Sequence, residues 1–198
     1  MSEFKEKKSD RIGYEQLRLY WPYRAQWLEN VQITRQVNEH AKLYVSGSLP
    51  EEDGPGILQV QAEGEPIVLR QVDETGRSVR RLFHGVMTSL TVHLSGGIYR
   101  FELEALSNSY QMDIRIEERA FQNRGWAFKE LIEFIMKSYR YSDVIDQVTG
   151  NTALSGLVLQ YKETDWMFLR RLASRFGTVL VPEITAASPK LFIGLPTG

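Results

Sequence analysis

The stretch Leu82-Phe-His-Gly-Val-Met-Thr-Ser-Leu-Thr-Val-His-Leu94 decides the fold class of this chain. Apolar residues alternate with small or polar ones along it, and the even positions carry Leu82, Val86, Leu90, Val92 and Leu94. A period of two is typical of a strand with one buried face. Ser95-Gly96-Gly97 then supplies a turn, and residues 98–106 alternate again between apolar and charged side chains. These residues predict an antiparallel hairpin.

Upstream of the hairpin, residues 28–37, 42–46 and 67–72 show the alternation of further strands. Asp73-Glu-Thr-Gly76 predicts the turn into the long strand, whereas Gly54-Pro55-Gly56 indicates a loop. We therefore expect residues 15–110 to form an antiparallel β-barrel of about six strands, closed or nearly so.

The hydrophobic period changes to that of a helix after residue 110. Residues 126–139 predict a helix with Asn123 as a candidate cap, inside a helical insertion spanning 111–150. A second helix is predicted from the cap Thr164 to a C-terminal Gly177, and its buried stripe comprises Trp166, Leu169, Ala173 and Phe176. Strands at 157–161, 179–181 and 191–193 flank it, so residues 151–198 are predicted to form a strand–helix–strand unit that opens a second β unit, which the family resemblance given below identifies with an incomplete second barrel. The predicted fold class is mainly β.

Composition excludes several classes of protein. The 24 Lys and Arg residues balance 25 Asp and Glu residues, and the net charge of -1 argues against a nucleic-acid or polybasic membrane binder. There is no cysteine and no apolar run long enough for a membrane-spanning helix. Residues 1–14 are interpreted as a mobile charged arm rather than a signal peptide or membrane anchor. Synthesis in the cytoplasm is therefore expected.

The sequence predicts no catalytic, cofactor-binding or metal-binding residue, and hence no enzyme. The three histidines, His40, His84 and His93, lack metal-site spacing. His84 is placed on the apolar face of its strand, as a core or interface histidine rather than a base inside a barrel. Glu102 and Glu104 fall on a polar strand face, which favours solvation over glycoside chemistry. The loop Glu51-Glu52-Asp53 lacks a calcium pattern, and Gly54-x-Gly56 lacks the context of a dinucleotide site.

The aromatic residues predict packing more than ligand binding. Trp126 and Trp166 fall on apolar helical stripes and are expected in the core. Trp21, with Tyr20 and Tyr23 around Pro22, is the one cluster that could make a surface contact. A packed N-terminal strand is the favoured interpretation there as well.

One segment is more specific than a hydrophobic pattern. Leu159-Gln-Tyr-Lys-Glu-Thr-Asp-Trp-Met-Phe-Leu-Arg-Arg-Leu-Ala-Ser-Arg-Phe-Gly177 resembles the signature of the phage baseplate-hub family. This family includes late control D proteins and the VgrG spike proteins of contractile injection systems. Arg119-Ala-Phe-Gln-Asn123, Val37-Asn-Glu-His-Ala41, Phe83-His-Gly-Val86 and Tyr99-Arg-Phe-Glu-Leu-Glu-Ala-Leu-Ser107 resemble further elements of it, most like the Firmicutes prophage and tailocin versions.

The resemblance implies a hub or spike-base subunit that links a tail tube to a puncturing tip. It implies self-association as a trimer in a longer chain, contacts with tube and baseplate or spike proteins, and residence in a virion tail or injection particle. Family members continue into a complete second barrel, so the 198-residue chain is expected to be monomeric or weakly associated. Two other interpretations remain open: a carbohydrate-binding β domain of a tail or cell-surface protein, and a small hydrolase on a β scaffold.

Overall fold

The computed structural model describes residues 13–53, 57, 63–123 and 125–196, so the predicted loop 54–56 and most of the predicted arm 1–14 lie outside it. The described elements, in chain order, are β1 (Leu17–Tyr20), β2 (Trp27–Thr34), β3 (Lys42–Ser48), β4 (Pro66–Val72), β5 (Ser78–Ser95), β6 (Ile98–Ser107), β7 (Ile116–Phe121), α1 (Phe128–Met136), β8 (Asp143–Asp146), β9 (Val158–Thr164), α2 (Asp165–Arg175), β10 (Leu180–Pro182) and β11 (Lys190–Ile193). Short 3₁₀ turns cover Tyr14–Gln16 and Asn108–Asp113.

Six strands form one antiparallel sheet in the order β1-β4-β5-β6-β3-β2. The sheet curls into a half-barrel, and a mainly β fold with an antiparallel N-terminal sheet is confirmed. Sequential strands β4, β5 and β6 lie side by side, which is the arrangement expected when short turns join antiparallel strands. β3 and β2 then extend the sheet beyond β6.

The predicted hairpin is confirmed as the pair β5 and β6. Ser95 faces Ile98 across a two-residue loop, and both loop residues have positive φ, 59° at Gly96 and 79° at Gly97. This backbone conformation is favoured in tight hairpins because its twist matches that of the strands, and glycine adopts it without steric cost.

A bulge in β5 overturns the predicted burial of that strand. Before the bulge the odd positions Phe83, Gly85 and Met87 are buried, so the placement of His84 and its even-numbered neighbours on a single apolar face is wrong. The pairing register with β6 shifts between Met87 and Ser89. An extra residue in one strand reverses which side chains face the core. After the bulge, the even positions Leu90 and Val92 pack against the core as predicted.

The C-terminal half contains two smaller sheets. β7 pairs antiparallel with β9, and β11 lies between β10 and β8. The β11–β8 pair is parallel, unlike every other pairing among the described strands. The sequence does not predict β7 and β8, because residues 111–156 have a helical period or are polar and turn-rich.

The second predicted helix is confirmed in detail, and the first is shorter than predicted. Thr164 caps α2 by accepting a hydrogen bond from the Met167 N–H at 3.2 Å, and Gly177 follows the helix with a φ of 63°. α1 begins after Ala127, whose N–H donates to Glu130 Oε2 at 2.6 Å. The cap predicted at Asn123 is wrong, because its side chain instead accepts from Gly125 in the preceding turn.

Two hydrophobic clusters stabilise the fold. The half-barrel cluster is built on Leu43, Val45, Ile67, Leu69, Phe83, Met87, Phe101 and Leu103. The second cluster joins α1, α2 and the smaller sheets through residues that include Leu131, Ile135, Trp166, Phe168, Leu169 and Leu191. Ile184 comes from the C-terminal half but belongs to the half-barrel cluster. The two halves of the chain are therefore packed together.

Gly85→Ala should destabilise the half-barrel. A Cβ at this position would lie 2.0 Å from the Leu106 carbonyl oxygen and 2.7 Å from a ring carbon of Phe83. We expect a loss of about 1–3 kcal/mol in the free energy of unfolding, measured by urea denaturation. Gly156→Ala is the matched control, because a Cβ there meets nothing within 4 Å and should change stability by less than about 1 kcal/mol. Equal midpoints for the two variants would contradict the close backbone approach.

Candidate functional site

Three of the segments singled out in the sequence meet between the two hydrophobic clusters. We call this region the polar junction. It comprises His40, Ser109, Asp113, Arg119, Tyr139, Gln160, Thr164 and Asp165. Residues 37–41, 119–123 and 159–177 each contribute, and the 3₁₀ turn Asn108–Asp113 lies among them. Segments far apart in the chain therefore meet through specific hydrogen bonds.

Asp165 is the centre of the junction, and only 1% of its surface is exposed. Its Oδ1 accepts hydrogen bonds from Arg119 at 2.5 Å and from Gln160 Nε2 at 2.8 Å, and its Oδ2 accepts from the Tyr139 hydroxyl at 2.8 Å. Arg119 also donates to Gln160 Oε1 at 2.9 Å. A buried charge is tolerated only when it is paired and hydrogen-bonded, and both carboxylate oxygens meet that condition.

Two further features stabilise this carboxylate. Asp165 is the first residue of α2, where the positive end of the helix dipole favours an anion. The pKa of the Tyr139 phenol lies well above its ordinary value. Burial is the main cause, and the hydrogen bond to Asp165 and the negative charge of Asp165 raise the pKa further. The phenol therefore remains a donor across the physiological range.

His40 links the half-barrel to the same helix. Its Nδ1 lies 2.9 Å from Ser109 Oγ, its Nε2 lies 3.4 Å from Asp113 Oδ2, and its ring packs on Trp166 with centroids 4.1 Å apart. The Thr164 hydroxyl donates to the other oxygen of Asp113. Burial lowers the pKa of His40, and the neighbouring carboxylate of Asp113 opposes this shift only in part.

Ser109, His40 and Asp113 have the residue types of a hydrolytic triad, and no motif in the sequence indicates this grouping. Its surroundings do not support hydrolysis. Ser109 is buried and also hydrogen-bonds Ser107 Oγ at 2.8 Å. The concavity beside His40 has a volume of only 60 Å³ and is not lined by the serine. Ligand sites generally enclose about 300 Å³ or more, which this concavity does not reach.

Hydrogen bonds to backbone groups join the two halves beside the polar junction. Asn38, with a φ of 62°, donates its N–H to the Leu180 carbonyl at 2.7 Å and accepts the Leu180 N–H on its side chain at 2.8 Å. The His84 N–H donates to the Ile184 carbonyl at 2.7 Å, and Asn108 Nδ2 donates to the Ala186 carbonyl at 2.9 Å. His84, predicted as a core or interface histidine, lies at this contact.

The remaining candidates from the sequence do not come together. Glu102, Glu104 and His93 are exposed on the half-barrel, and Glu51–Asp53 form a turn. Trp21 packs against Phe101 with ring centroids 4.8 Å apart, in keeping with a packed N-terminal segment. Trp126 is partly buried against the second cluster. Within the described ranges, no three potential ligands are grouped around a metal position, and no helix has the length and apolarity to cross a membrane.

The roles of Arg119 and Tyr139 could not be derived from the sequence. In the sequence Arg119 stands out only as part of a resembling segment, and the predicted helix that includes Tyr139 ends before it in the structure. One feature of the sequence, the Thr-Asp pair at residues 164–165, could have indicated a buried carboxylate that needs partners. An aspartate at the start of a largely apolar helix stripe requires a donor partner when it is buried. The sequence does not indicate which arginine provides it.

By sequence, no protein-family model and no curated protein matches the chain. Solved structures do match it. They include the c3393 protein of E. coli, described as a component of the type VI secretion system with structural similarity to the T4 bacteriophage tail proteins gp27 and gp5, at 16% identity and a TM-score of 0.60. That match covers 88% of this chain and 48% of the other.

Two tail proteins give similar values. A tail protein from Neisseria meningitidis MC58 has 12% identity and a TM-score of 0.63, covering 88% of this chain and 50% of that one. The 43 kDa tail protein of prophage MuSo2 from Shewanella oneidensis has 14% identity and a TM-score of 0.63, covering 89% and 53%. The chain thus spans about half the length of these structures. At such identities the likeness shows the fold alone, which this chain shares with these tail proteins.

Arg119→Met should strongly destabilise the protein, because it removes the cation paired with the buried Asp165 carboxylate. Breaking one partner of a buried ion pair typically costs about 3–5 kcal/mol, which urea denaturation would measure. Arg115→Met is the matched control: the Arg115 side chain is 81% exposed, and its ion pair with Glu117 should contribute less than about 1 kcal/mol. A similar loss in both variants would contradict the central role of the Asp165 pair.

His40→Gln should reduce the dependence of stability on pH. The pKa of His40 is lowered on folding, so the unfolded chain binds more protons between that lowered pKa and the ordinary value of 6.5. Stability should therefore fall as the pH drops through this window, and His40→Gln should flatten the fall. Thermal melts at pH 5.5 and 8 measure the difference. His93→Gln, which removes an exposed imidazole, should keep the wild-type profile, and an unchanged profile in His40→Gln would refute the assignment.

Proposed function

We propose that this chain is a structural hub or spike-base subunit of a phage tail or contractile injection system, linking the tail tube to the puncturing tip. The observation that carries the proposal is the fold match over 88–89% of the chain to two tail proteins and a type VI secretion component. Its extent supports a shared architecture across the half-barrel, α1, α2 and the smaller sheets.

The chemistry of the polar junction supports a structural role rather than catalysis. A general base must reach the proton that it abstracts, and both oxygens of Asp165 are already occupied by protein donors. Ser109 is buried, and it does not line the small concavity beside His40. We therefore propose that the protein is not an enzyme, which leaves the small-hydrolase interpretation without a site.

A carbohydrate-binding role has less support. Such domains present aromatic faces in a row, and here Trp21 and Tyr23 pack against the half-barrel cluster. The exposed aromatic residues lie on separate elements: Tyr14, Tyr20, Trp27, Phe134, Tyr141 and Tyr161. No strand face in the described ranges collects three of them.

The finer features of the proposal follow from the same fold. We propose a half-barrel domain over residues 15–110, a helical insertion at 111–150 and the opening of a second barrel from 151, preceded by a charged arm over residues 1–14. Self-association as a trimer, contact with tube and spike proteins, synthesis in the cytoplasm and residence in the particle belong to the proposal. The proposal includes neither nucleic-acid binding nor a membrane anchor.

Immunogold labelling of purified tail particles would test the proposed function. Antibodies raised against the chain should label one end of the tail, at the junction of tube and tip, and preincubation with the purified chain should abolish the label. Label along the whole tube, or recovery of the protein only in particle-free fractions, would overturn the assignment to a hub.

The 198-residue chain should be monomeric or weakly associated at tens of micromolar, whereas a longer form with a complete second barrel should be trimeric. A closed ring needs both halves of each contact on every subunit, and stable interfaces bury more than about 1,000 Å². Size exclusion coupled to light scattering on both lengths measures this. A monomeric long form would contradict the ring, and a tight trimer of the short form would show that the half-barrel and α1 carry most of the contact.

A further inference from the structure

One loop of the C-terminal half rests on the half-barrel. Residues 183–189 connect β10 to β11, and we call them the clasp loop. The Glu183 N–H closes the base of this loop by donating to the Lys190 carbonyl at 2.8 Å. The Ser188 hydroxyl donates to the Tyr141 carbonyl at 2.6 Å. The base of the clasp loop is therefore held within the C-terminal half by its own contacts.

The tip of the clasp loop is attached to the half-barrel through successive backbone carbonyl groups. The Ile184 carbonyl accepts a hydrogen bond from the His84 N–H at 2.7 Å. The Thr185 carbonyl accepts one from Arg81 Nη1 at 2.8 Å, and the Ala186 carbonyl is held by the 3₁₀ turn after β6. The Ile184 side chain is buried in the half-barrel cluster. Polar and apolar contacts thus fasten the same short segment.

The imidazole of His84 holds Arg81 in position at this tip. Arg81 Nη1 lies 3.2 Å from His84 Nδ1 and 2.8 Å from the Thr185 carbonyl oxygen. A guanidinium group has donors and no acceptor, so Nδ1 must accept this hydrogen bond through its lone pair. The neutral imidazole therefore carries its proton on Nε2. One protonation state of His84 is part of the attachment of the clasp loop.

Protonation of His84 removes this acceptor. A proton on Nδ1 points at the guanidinium group, and two positive charges then lie side by side, which is unfavourable. Arg81 can avoid the imidazolium only by turning away from it. The Thr185 carbonyl, which shares the same Arg81 nitrogen, then loses its donor. The change of a single proton is therefore transmitted from the half-barrel to the loop.

The charges around His84 reinforce this dependence. Burial lowers the pKa of His84 first, and the positive charges of Arg81, on the same strand, and Arg70, on the neighbouring β4, lower it further. The 3₁₀ turn presents an uncharged amide to the His84 carbonyl. The Glu183 carboxylate of the clasp loop is turned back on Thr185, from which it accepts two hydrogen bonds. The charges that act on the imidazole are thus cationic.

We propose that the clasp loop is an acid-sensitive attachment between the two halves of the chain, released from the half-barrel when His84 takes up a proton. Release withdraws Ile184 from the half-barrel cluster and leaves the base of the loop intact. The hydrogen bonds between Asn38 and Leu180 and the polar junction still join the halves, so the movement is confined to the tip. This device goes beyond the proposed function and does not depend on it.

The direction of the effect follows from proton linkage. The closed loop binds a proton on His84 less readily than the open loop, in which the imidazole recovers its ordinary pKa of 6.5. Opening is therefore favoured as the pH falls below about 6.5, because the open form gains the proton first. Above that pH neither form is protonated, and the attachment is kept in full.

Hydrogen exchange of the residue-84 amide, followed by NMR, tests the device, because this N–H donates to the Ile184 carbonyl. Its protection factor, which corrects for intrinsic exchange, should fall at least about fivefold from pH 7.5 to pH 5.0. His84→Gln should keep the protection of the same amide within about twofold, because a glutamine Oε1 accepts from Arg81 at both pH values. His93→Gln, which removes an exposed imidazole, should behave as wild type. The amides of β6 should stay protected throughout.

A second measurement needs no variant. Long-range ¹H–¹⁵N spectra of the wild-type chain should show neutral His84 with its proton on Nε2 and a pKa below the ordinary 6.5. A neutral His84 that carries its proton on Nδ1 overturns the proposal, since the acceptor for Arg81 is then absent. Equal protection of the amide at both pH values also overturns it, as does an equal fall in His84→Gln. A fall shared by the β6 amides contradicts local release, because the whole half-barrel is then opening.

Discussion

A carboxylate held almost entirely out of water imposes the strictest requirement in this molecule. Asp165 can occupy the first turn of α2 only if Arg119, Gln160 and Tyr139 are all in place around it. These partners come from β7, β9 and the residues after α1. The pairing of β7 with β9 brings Arg119 opposite Gln160, so sheet register and charge neutralisation depend on each other. Any other register would leave a buried charge unpaired.

The same helix connects this network to the half-barrel. Thr164 caps α2 and also donates to Asp113, which in turn faces His40. The Trp166 ring lies under His40 with only 1% of its surface exposed. Polar groups thus fix the relative position of two hydrophobic clusters that apolar packing alone would leave free to slide. Directional hydrogen bonds define one arrangement where dispersion contacts tolerate several.

Elements with a regular hydrophobic period could be predicted from the sequence. The β5–β6 hairpin follows from a hydrophobic period of two, and α2 with its Thr164 cap follows from a period near 3.6. The face of β5 could not be predicted, because a single bulged residue reverses the inward and outward positions without altering the composition. β8 escaped prediction because its parallel pairing with β11 depends on residues 47 positions away in the chain.

The polar junction shows the same limit more sharply. Five of its eight members lie on segments that resemble a known family, yet the hydrogen bonds between them depend on tertiary distances that no local pattern encodes. The Ser109–His40–Asp113 grouping shows that residue types can also mislead, because side chains of the right types can meet without forming a reactive site. Burial and available space, rather than residue identity, distinguish a structural grouping of this kind from a reactive site.

The parallel β8–β11 pair has a consequence for the timing of folding. All six strands of the half-barrel are complete once residue 107 has been synthesised, whereas β8 waits for a partner that ends at residue 193. Domains fold as the chain emerges, and long-range parallel pairing is intrinsically slow. We expect nascent chains to pass through a state with a formed half-barrel and an unclosed C-terminal sheet, detectable as early hydrogen-exchange protection confined to residues before 108. A cell that makes many copies at once must keep that unfinished sheet edge from pairing with a neighbour.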